Sequence, residues 1–321
     1  MLADTLSRLD GSASPSDAWV ITARDLHGAV REAVPHVPHA HIVGEPVGKN
    51  TAPAIALACW WIRHAGADVA MAVLPSDHRI EPAEKFREEL ERAARLALER
   101  RVIVTFGIPP TRPETGYGYV EVGDALSGAP AFHAVSAFRE KPDLETAARY
   151  LADGKHLWNA GMFVFAPDVM LEELAAHAPE ITALLPTLPE RPGEGAEEAL
   201  EKFYAAAPSI SIDYAVMERS SRAVVARAGF AWDDLGSWAA LATSDAVDAE
   251  GNVSRGPVIL HESRGIVAFA DGGLLATIGV ENLIVVRTAD VTLVCSRDRA
   301  QDVRAIVERL KRGEAGRDGF L

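Results

Sequence analysis

Val69-Ala70-Met71-Ala72-Val73-Leu74-Pro75-Ser76-Asp77-His78 decides how this chain is read. A run of small and branched apolar residues long enough for one buried strand stops at Pro75, and a carboxylate followed by an imidazole stands directly beyond it. Open α/β sheets bind ligands in the crevice outside the carboxyl ends of their strands. Asp77 is therefore the first candidate for function, its competing role being to cap the loop before the next helix. Outward from this strand, helix and strand patterns alternate. Leu57, Trp60 and Trp61 lie on a helix over 52–64, an amphipathic helix follows over 82–100, and a buried strand over 102–108. Nearer the N-terminus, helical spacing of Leu2, Leu6 and Leu9 precedes a strand at 18–22, a helix at 26–34 and a strand at 39–43. Such alternation is the α/β signature.

The bulk numbers bound the function. With 321 residues, 48% apolar and 24% charged, the chain can build one large domain and a smaller one. Thirty-two Lys and Arg against forty-six Asp and Glu leave a net charge of −14, which argues against nucleic acid or an anionic membrane as the main partner. A small anion can still bind at a local basic site. Cys59 and Cys295 lie in separate apolar runs and read as reduced core residues of a cytoplasmic protein. No apolar run approaches the ~18 residues of a membrane span, and the N-terminus lacks the layout of a secretion signal.

Several short motifs carry chemistry. In Gly44-Glu45-Pro46-Val47-Gly48-Lys49-Asn50-Thr51-Ala52-Pro53, a phosphate-loop reading fails because Val43 stands where the first Gly is required and Asn50 where Ser or Thr should be. What remains is Glu45, whose carboxylate can take the N1–H and amino edge of guanine, near Lys49 and a helix capped by Asn50 or Thr51. A well-capped helix carrying surface charges is the competing reading. The loop Gly116-Tyr117-Gly118-Tyr119 permits close backbone approach to a ligand, or serves only as a turn. Glu140 and Lys141, at the mouth of a strand over 132–138, offer an acceptor for sugar hydroxyls beside a donor for phosphate. Asn159, in Trp158-Asn159-Ala160-Gly161, can hold a hydroxyl from a rigid strand. Farther on, Trp232-Asp233-Asp234-Leu235-Gly236-Ser237-Trp238 sets acids between tryptophans, costly to bury unless a cation or N–H donors meet them. Two remote carboxylates converging on one site would hold Mg²⁺ with phosphates and water completing the octahedron.

Residues 167–207 read as helices joined by a proline-rich loop. From about residue 250 the texture changes to short strands at 258–260, 266–270, 274–278, 283–286 and 291–295. They form a separate β-rich module, closed by a helix with Ala300, Val303, Ile306, Val307 and Leu310 on one face. The expected domains are 1–248 and 249–321.

Taken in order, Glu45-Pro46, Lys49 to Ala54, Leu74 to His78, Gly116 to Tyr119, Glu140-Lys141-Pro142, Trp158 to Gly161, Ile212-Asp213-Tyr214 and Trp232 to Trp238 resemble the nucleotide-sugar pyrophosphorylases, in their mannose-1-phosphate guanylyltransferase branch. The resemblance covers residues 2 to about 300. It implies a Rossmann-like, GT-A-like nucleotidyltransferase domain with a mixed sheet, followed by a module akin to a partial left-handed β-helix. It implies transfer of GMP from GTP to mannose 1-phosphate, with Asp77 and Asp234 on Mg²⁺, Glu45, Lys49 and Asn50 near the nucleotide, and Gly118, Glu140 and Asn159 on the mannose. Lys141 would neutralise the sugar phosphate. The family opens with a strand and a glycine-rich phosphate loop, and here residues 1–6 align with the helix after that loop. About one βα unit is thus expected to be missing, through a truncated or misassigned start, with a sheet strand and the pyrophosphate donors lost. That departure raises two alternatives: a catalytically silent nucleotide-sugar-binding or regulatory homologue, and a pyrophosphorylase for another nucleotide or hexose 1-phosphate. Exposed edges of the β module suggest a homodimer contact.

Overall fold

A computed structural model describes residues 1–66, 69–193, 195–235 and 247–312. The chain divides into two compact units, Met1–Trp232 and Asp233–Leu321. The first unit runs α1 (Leu2–Ser7), β1 (Val20–Ala23), α2 (His27–Ala33), β2 (Ile42–Glu45), α3 (Thr51–His64), β3 (Met71–Val73), β4 (Arg79–Glu81), α4 (Ala83–Arg100) and β5 (Ile103–Ile108). It continues through β6 (Tyr119–Leu126), β7 (Ala129–Arg139), α5 (Leu144–Asp153), β8 (His156–Phe165), α6 (Pro167–His177), α7 (Pro179–Thr182), α8 (Ala196–Ala206) and β9 (Ala223–Arg227). β10 (Ala231–Asp233) pairs with β4 across the end of this unit.

β8 is the spine of the main sheet, whose order is β3-β8-β5-β9-β7-β6. It runs antiparallel to β3 and β5, while β5 and β9 are parallel. The free half of its other edge pairs with β6 from His156 to Trp158, so β8, β5, β9, β7 and β6 close into a ring. Every residue of β5 is buried, and side chains alternate between two helical layers as a strand requires. Ile103, Leu157, Phe163 and Phe165 face one core with Leu57 and Trp61 of α3 and Leu174 of α6; Val104, Phe106, Met162 and Val164 face another with Phe86, Leu90 and Leu96 of α4. The three-to-four spacing of the α4 residues explains why that sequence is helical. β1 and β2 pair in parallel as a two-stranded sheet of their own, and among the described residues β3 is bonded to β8 alone.

The second unit stacks β11 (Val253–Arg255), β13 (Val267–Ala270) and β15 (Leu283–Arg287) in parallel, with β12 (Val258–His261) and β14 (Leu275–Ile278) as a second parallel row. β16 (Thr292–Ser296) lies antiparallel on β15, and α9 (Val303–Lys311) closes the described chain. The corner after β11 needs glycine: Gly256 has φ +89°, and a Cβ there would lie 2.0 Å from the Ala270 carbonyl oxygen. β11 was not among the strands expected from sequence. Cys59 is buried as expected, but Cys295 is only half-buried: it faces inward with Leu293, but β16 is the last strand of its sheet and is covered by a neighbouring strand on one edge alone among the described residues. On α9 the expected apolar face leaves Ile306 and Val307 exposed. No helix among the described residues is long and apolar enough to cross a membrane.

Candidate active site

Glu45 ends β2, where its Oε1 is buried without a hydrogen-bond partner among the described residues. Burial raises its carboxyl above the ordinary range, while the Tyr204 hydroxyl facing it acts in the opposite direction. Burial and the Glu45 charge together push the Tyr204 phenol upward. The Tyr204 hydroxyl is a donor on that side of the carboxyl, and N–H donors from a ligand would meet its remaining acceptor positions. Half-exposed Lys49 follows, and then Asn50 at φ +66°, whose Oδ1 accepts the Thr51 N–H at 3.0 Å. Asn50 thus caps α3 from a backbone conformation, φ +66° and ψ −169°, that is strained for any residue but glycine.

The second group of side chains converges on Asn159, in the middle of β8 and 8% exposed. Its Oδ1 accepts the Gly161 N–H at 3.2 Å and lies 2.9 Å from the Thr105 hydroxyl; its Nδ2 donates to Asp213 Oδ1 at 3.1 Å. Its backbone N–H donates to the Gly118 carbonyl at 2.8 Å. A Cβ on Gly118 would stand 2.5 Å from Glu140 Oε2 and 3.4 Å from Asn159 Cβ, so only glycine lets these two side chains meet over the loop. Lys141, at φ +45°, turns its Nζ back to 2.9 Å from Glu140 Oε1. The Glu140 N–H donates to Glu218 Oε1 at 3.1 Å. Burial, and then the negative charge of Glu140, push the Asp213 carboxyl from its ordinary 3.8 up to about 6, with Lys141 opposing.

These two groups are stitched together by backbone. The Ala52 N–H donates to the Ile210 carbonyl at 3.1 Å, the Ile210 N–H to the Lys49 carbonyl at 3.2 Å, and the Ile212 N–H to Thr51 Oγ1 at 2.8 Å. Motifs more than a hundred residues apart thereby share one framework, with Glu45, Lys49 and Asn50 at one end and Gly118, Glu140, Lys141 and Asn159 at the other. Sequence reasoning gave no role to Asp213, Glu218, Thr105 or Tyr204. Asp213 sat inside a quoted motif, but its partner Asn159 is 54 residues away.

Asp77 is exposed on the turn between β3 and β4 and makes no hydrogen bond or ion pair among the described residues. Around it, Thr5 Oγ1 donates to the Ser76 carbonyl at 3.3 Å, Arg8 to the His78 carbonyl at 2.9 Å, and Trp232 Nε1 to His78 Nδ1 at 3.0 Å. The glycine loop is braced by Arg112, which pairs with Glu114 at 3.0 Å and lies 5.1 Å over the Trp158 ring. Asp234 belongs to the second unit and is half-buried; beside it, Asp233 Oδ1 accepts the Leu235 N–H at 2.8 Å. Gly236, Ser237 and Trp238 lie outside the described residues.

The MannoseP isomerase/GMP-like β-helix domain family matches residues 256–310. The mannose-1-phosphate guanylyltransferase ManC of Salmonella typhimurium is 43% identical over 282 residues, which cover 84% of this chain and 58% of that protein. A mannose-1-phosphate guanylyltransferase of Escherichia coli K12 is 40% identical, over 97% of this chain and 66% of its own length. The chain therefore spans roughly three-fifths to two-thirds of these relatives. The crystal structure of mannose-1-phosphate geranyltransferase from Thermus thermophilus superposes with a TM-score of 0.84 at 35% identity, covering 97% of this chain and 89% of that one. The nucleotidyl transferase family matches residues 1–250, and with that match over most of its length the chain belongs to the nucleotidyl transferase family.

Proposed function

We propose that this chain carries the guanylyltransferase centre that makes GDP-mannose and pyrophosphate from GTP and mannose 1-phosphate. The observation that supports this reading most is the shared framework joining the Glu45 to Thr51 loop with the Gly118, Glu140, Lys141 and Asn159 group. Relatives at about 40% identity carry the same activity in their names.

The chemistry asked of the residues is binding and orientation. An oxygen of the sugar phosphate attacks the α-phosphorus of GTP in line, a P–O bond forms there, and the bond to the pyrophosphate oxygen breaks. Holding both reactants in line is itself a large part of the acceleration. The Glu45 carboxylate, beside the Tyr204 hydroxyl, accepts from the guanine N1–H and 2-amino edge. Lys49 supplies positive charge to the phosphates, the first N–H groups of α3 being taken already, that of Thr51 by Asn50 and that of Ala52 by Ile210. Glu140 accepts from mannose hydroxyls, Asn159 donates to one, and Lys141, once drawn off Glu140, neutralises the sugar phosphate. Mg²⁺ would lower the charge on the triphosphate when bound. Asp77, a carboxylate without a protein partner among the described residues and at a strand end, has the hard-oxygen chemistry for it. Asp234, the other acid that the sequence put on the metal, belongs to the second compact unit.

Incubating the chain with GTP, mannose 1-phosphate and Mg²⁺ should release pyrophosphate and form GDP-mannose. Absence of both products together with absence of GDP-mannose binding by calorimetry overturns the proposal. Binding without turnover points instead to a silent nucleotide-sugar-binding homologue. In a donor panel, preference for UTP or dTTP would overturn the role given to Glu45.

A further inference from the structure

We infer that the turn from Asp213 to Glu218 is the positioning element of the sugar-phosphate site, with Asp213 and Glu218 as positioning residues that set the two groups meant to hold the sugar. The inference deepens the proposed function and rests on it only for the identity of the ligand. Three observations carry it.

The turn is a π-turn: the Glu218 N–H donates to the Asp213 carbonyl at 2.9 Å, an i to i+5 bond. In an α-helix residues five apart would point about 140° away from each other. The wider π-turn brings them nearer to one side, and such turns recur at functional sites. Both side chains then act on the site. Asp213 accepts from the Asn159 amide at 3.1 Å, and Glu218 accepts from the Glu140 backbone N–H at 3.1 Å.

The Asn159 amide is also fixed in sense. Its oxygen is held by the Gly161 N–H and faces the Thr105 hydroxyl, and one of its two N–H bonds is committed to Asp213. Turning the amide over would set its NH₂ against the Gly161 N–H and its oxygen against the Asp213 carboxylate. The Thr105 hydroxyl is shared between the amide oxygen and the Met162 carbonyl, at 2.9 and 3.0 Å. One N–H of the amide is left over from these bonds, so the donor Asn159 offers suits a group that accepts, as a sugar hydroxyl or ring oxygen does.

The third observation is the attachment of the turn. The residue just before it, Ile212, donates its N–H to Thr51 Oγ1 at the start of α3, directly after the nucleotide-side loop. The element that orients the sugar contacts is thus anchored next to the loop assigned to the base.

Two measurements on the full chain test this. The first needs no ligand: NMR of the Asn159 side-chain amide. The wild-type and Asp213→Asn proteins, the latter keeping an oxygen acceptor, should show slow exchange of the bonded N–H, and Asp213→Leu should show fast exchange. Equal exchange in all three overturns the inference. The second is calorimetric titration with mannose 1-phosphate and with GTP. Asp213→Leu should weaken mannose 1-phosphate by about tenfold or more, Asp213→Asn by far less, and neither should move GTP more than about twofold. Glu218→Leu against Glu218→Gln should repeat the pattern. Equal losses for the Leu and Asn variants, or equal losses for both ligands, also overturn it. Protection of the Asn159 amide without mannose 1-phosphate binding to the wild-type chain would overturn the proposed function and leave the positioning role intact.

Discussion

At the scale of single residues, the cost of the site is concentrated in Asp213. Its carboxyl is pushed from 3.8 up to about 6, first by burial and then by Glu140. A folded-state value above the unfolded one means that the fold holds the proton more tightly, so stability falls as pH rises from about 4 to about 6 and stays level above that. The shift of about two units corresponds to about 3 kcal/mol at neutral pH, an upper bound. Asp213→Asn should therefore raise stability at neutral pH, and the gain should shrink to nothing below about pH 4, which denaturant melts across that range would read. The opposite pattern is expected at Asp77. Being exposed and unpartnered among the described residues, Asp77→Ala should change stability by less than about 0.5 kcal/mol, yet cut turnover by about 10²-fold. Comparable losses in melting temperature and activity would remove Asp77 from the mechanism. At Asn50, Ala would lose the α3 cap, costing about 1 kcal/mol in chemical denaturation.

At the scale of elements, β5 and β8 set everything else in place, and glycines decide how closely they approach. The register between them shifts between Thr105 and Gly107, where a Cβ would fall 2.5 Å from Leu157 Cδ1 and 2.9 Å from Val225 Cγ2. Gly107→Ala should destabilise the protein by about 1–3 kcal/mol, since Leu157 and Val225 are both buried and have little room to move. Gly118→Ala meets instead the far end of the Glu140 side chain, which can swing aside. The fold should survive, with little change in melting temperature, while affinity for mannose 1-phosphate drops about tenfold or more as Glu140 leaves its place. Many of the elements were legible in sequence, though β4, β6, β9 and β11 were not. α3, α4 and α5 announce themselves through Asn50, the Phe86 to Leu96 spacing, and the Asp143 cap with Gly154 at the far end. The π-turn was not, because its extra residue is fixed by the hydrogen bonds of Asp213, Ile212 and Glu218 to remote strands and loops, and no local pattern encodes those.

For the whole molecule, the net charge of −14 predicts that an electrophoretic assay at about 0.15 M salt will show no shift of duplex DNA. The family, the α/β class and the candidate residues Glu45, Lys49, Asn50, Asp77, Gly118, Glu140, Lys141 and Asn159 were all readable in the sequence. Each lies beside a local signal that short-range physics writes into the chain: a strand end, a cap, a glycine loop or a charged pair. Only the tertiary structure decided that β8 closes a ring through β6, that β1 and β2 stand as a sheet of their own, and that the Asn159 amide is oriented by Asp213 and the Gly161 N–H. Those facts depend on hydrogen bonds between residues tens to hundreds of positions apart. Their partners become neighbours only when the alternating faces of β5 and β8 bury against α3 on one side and α4 on the other.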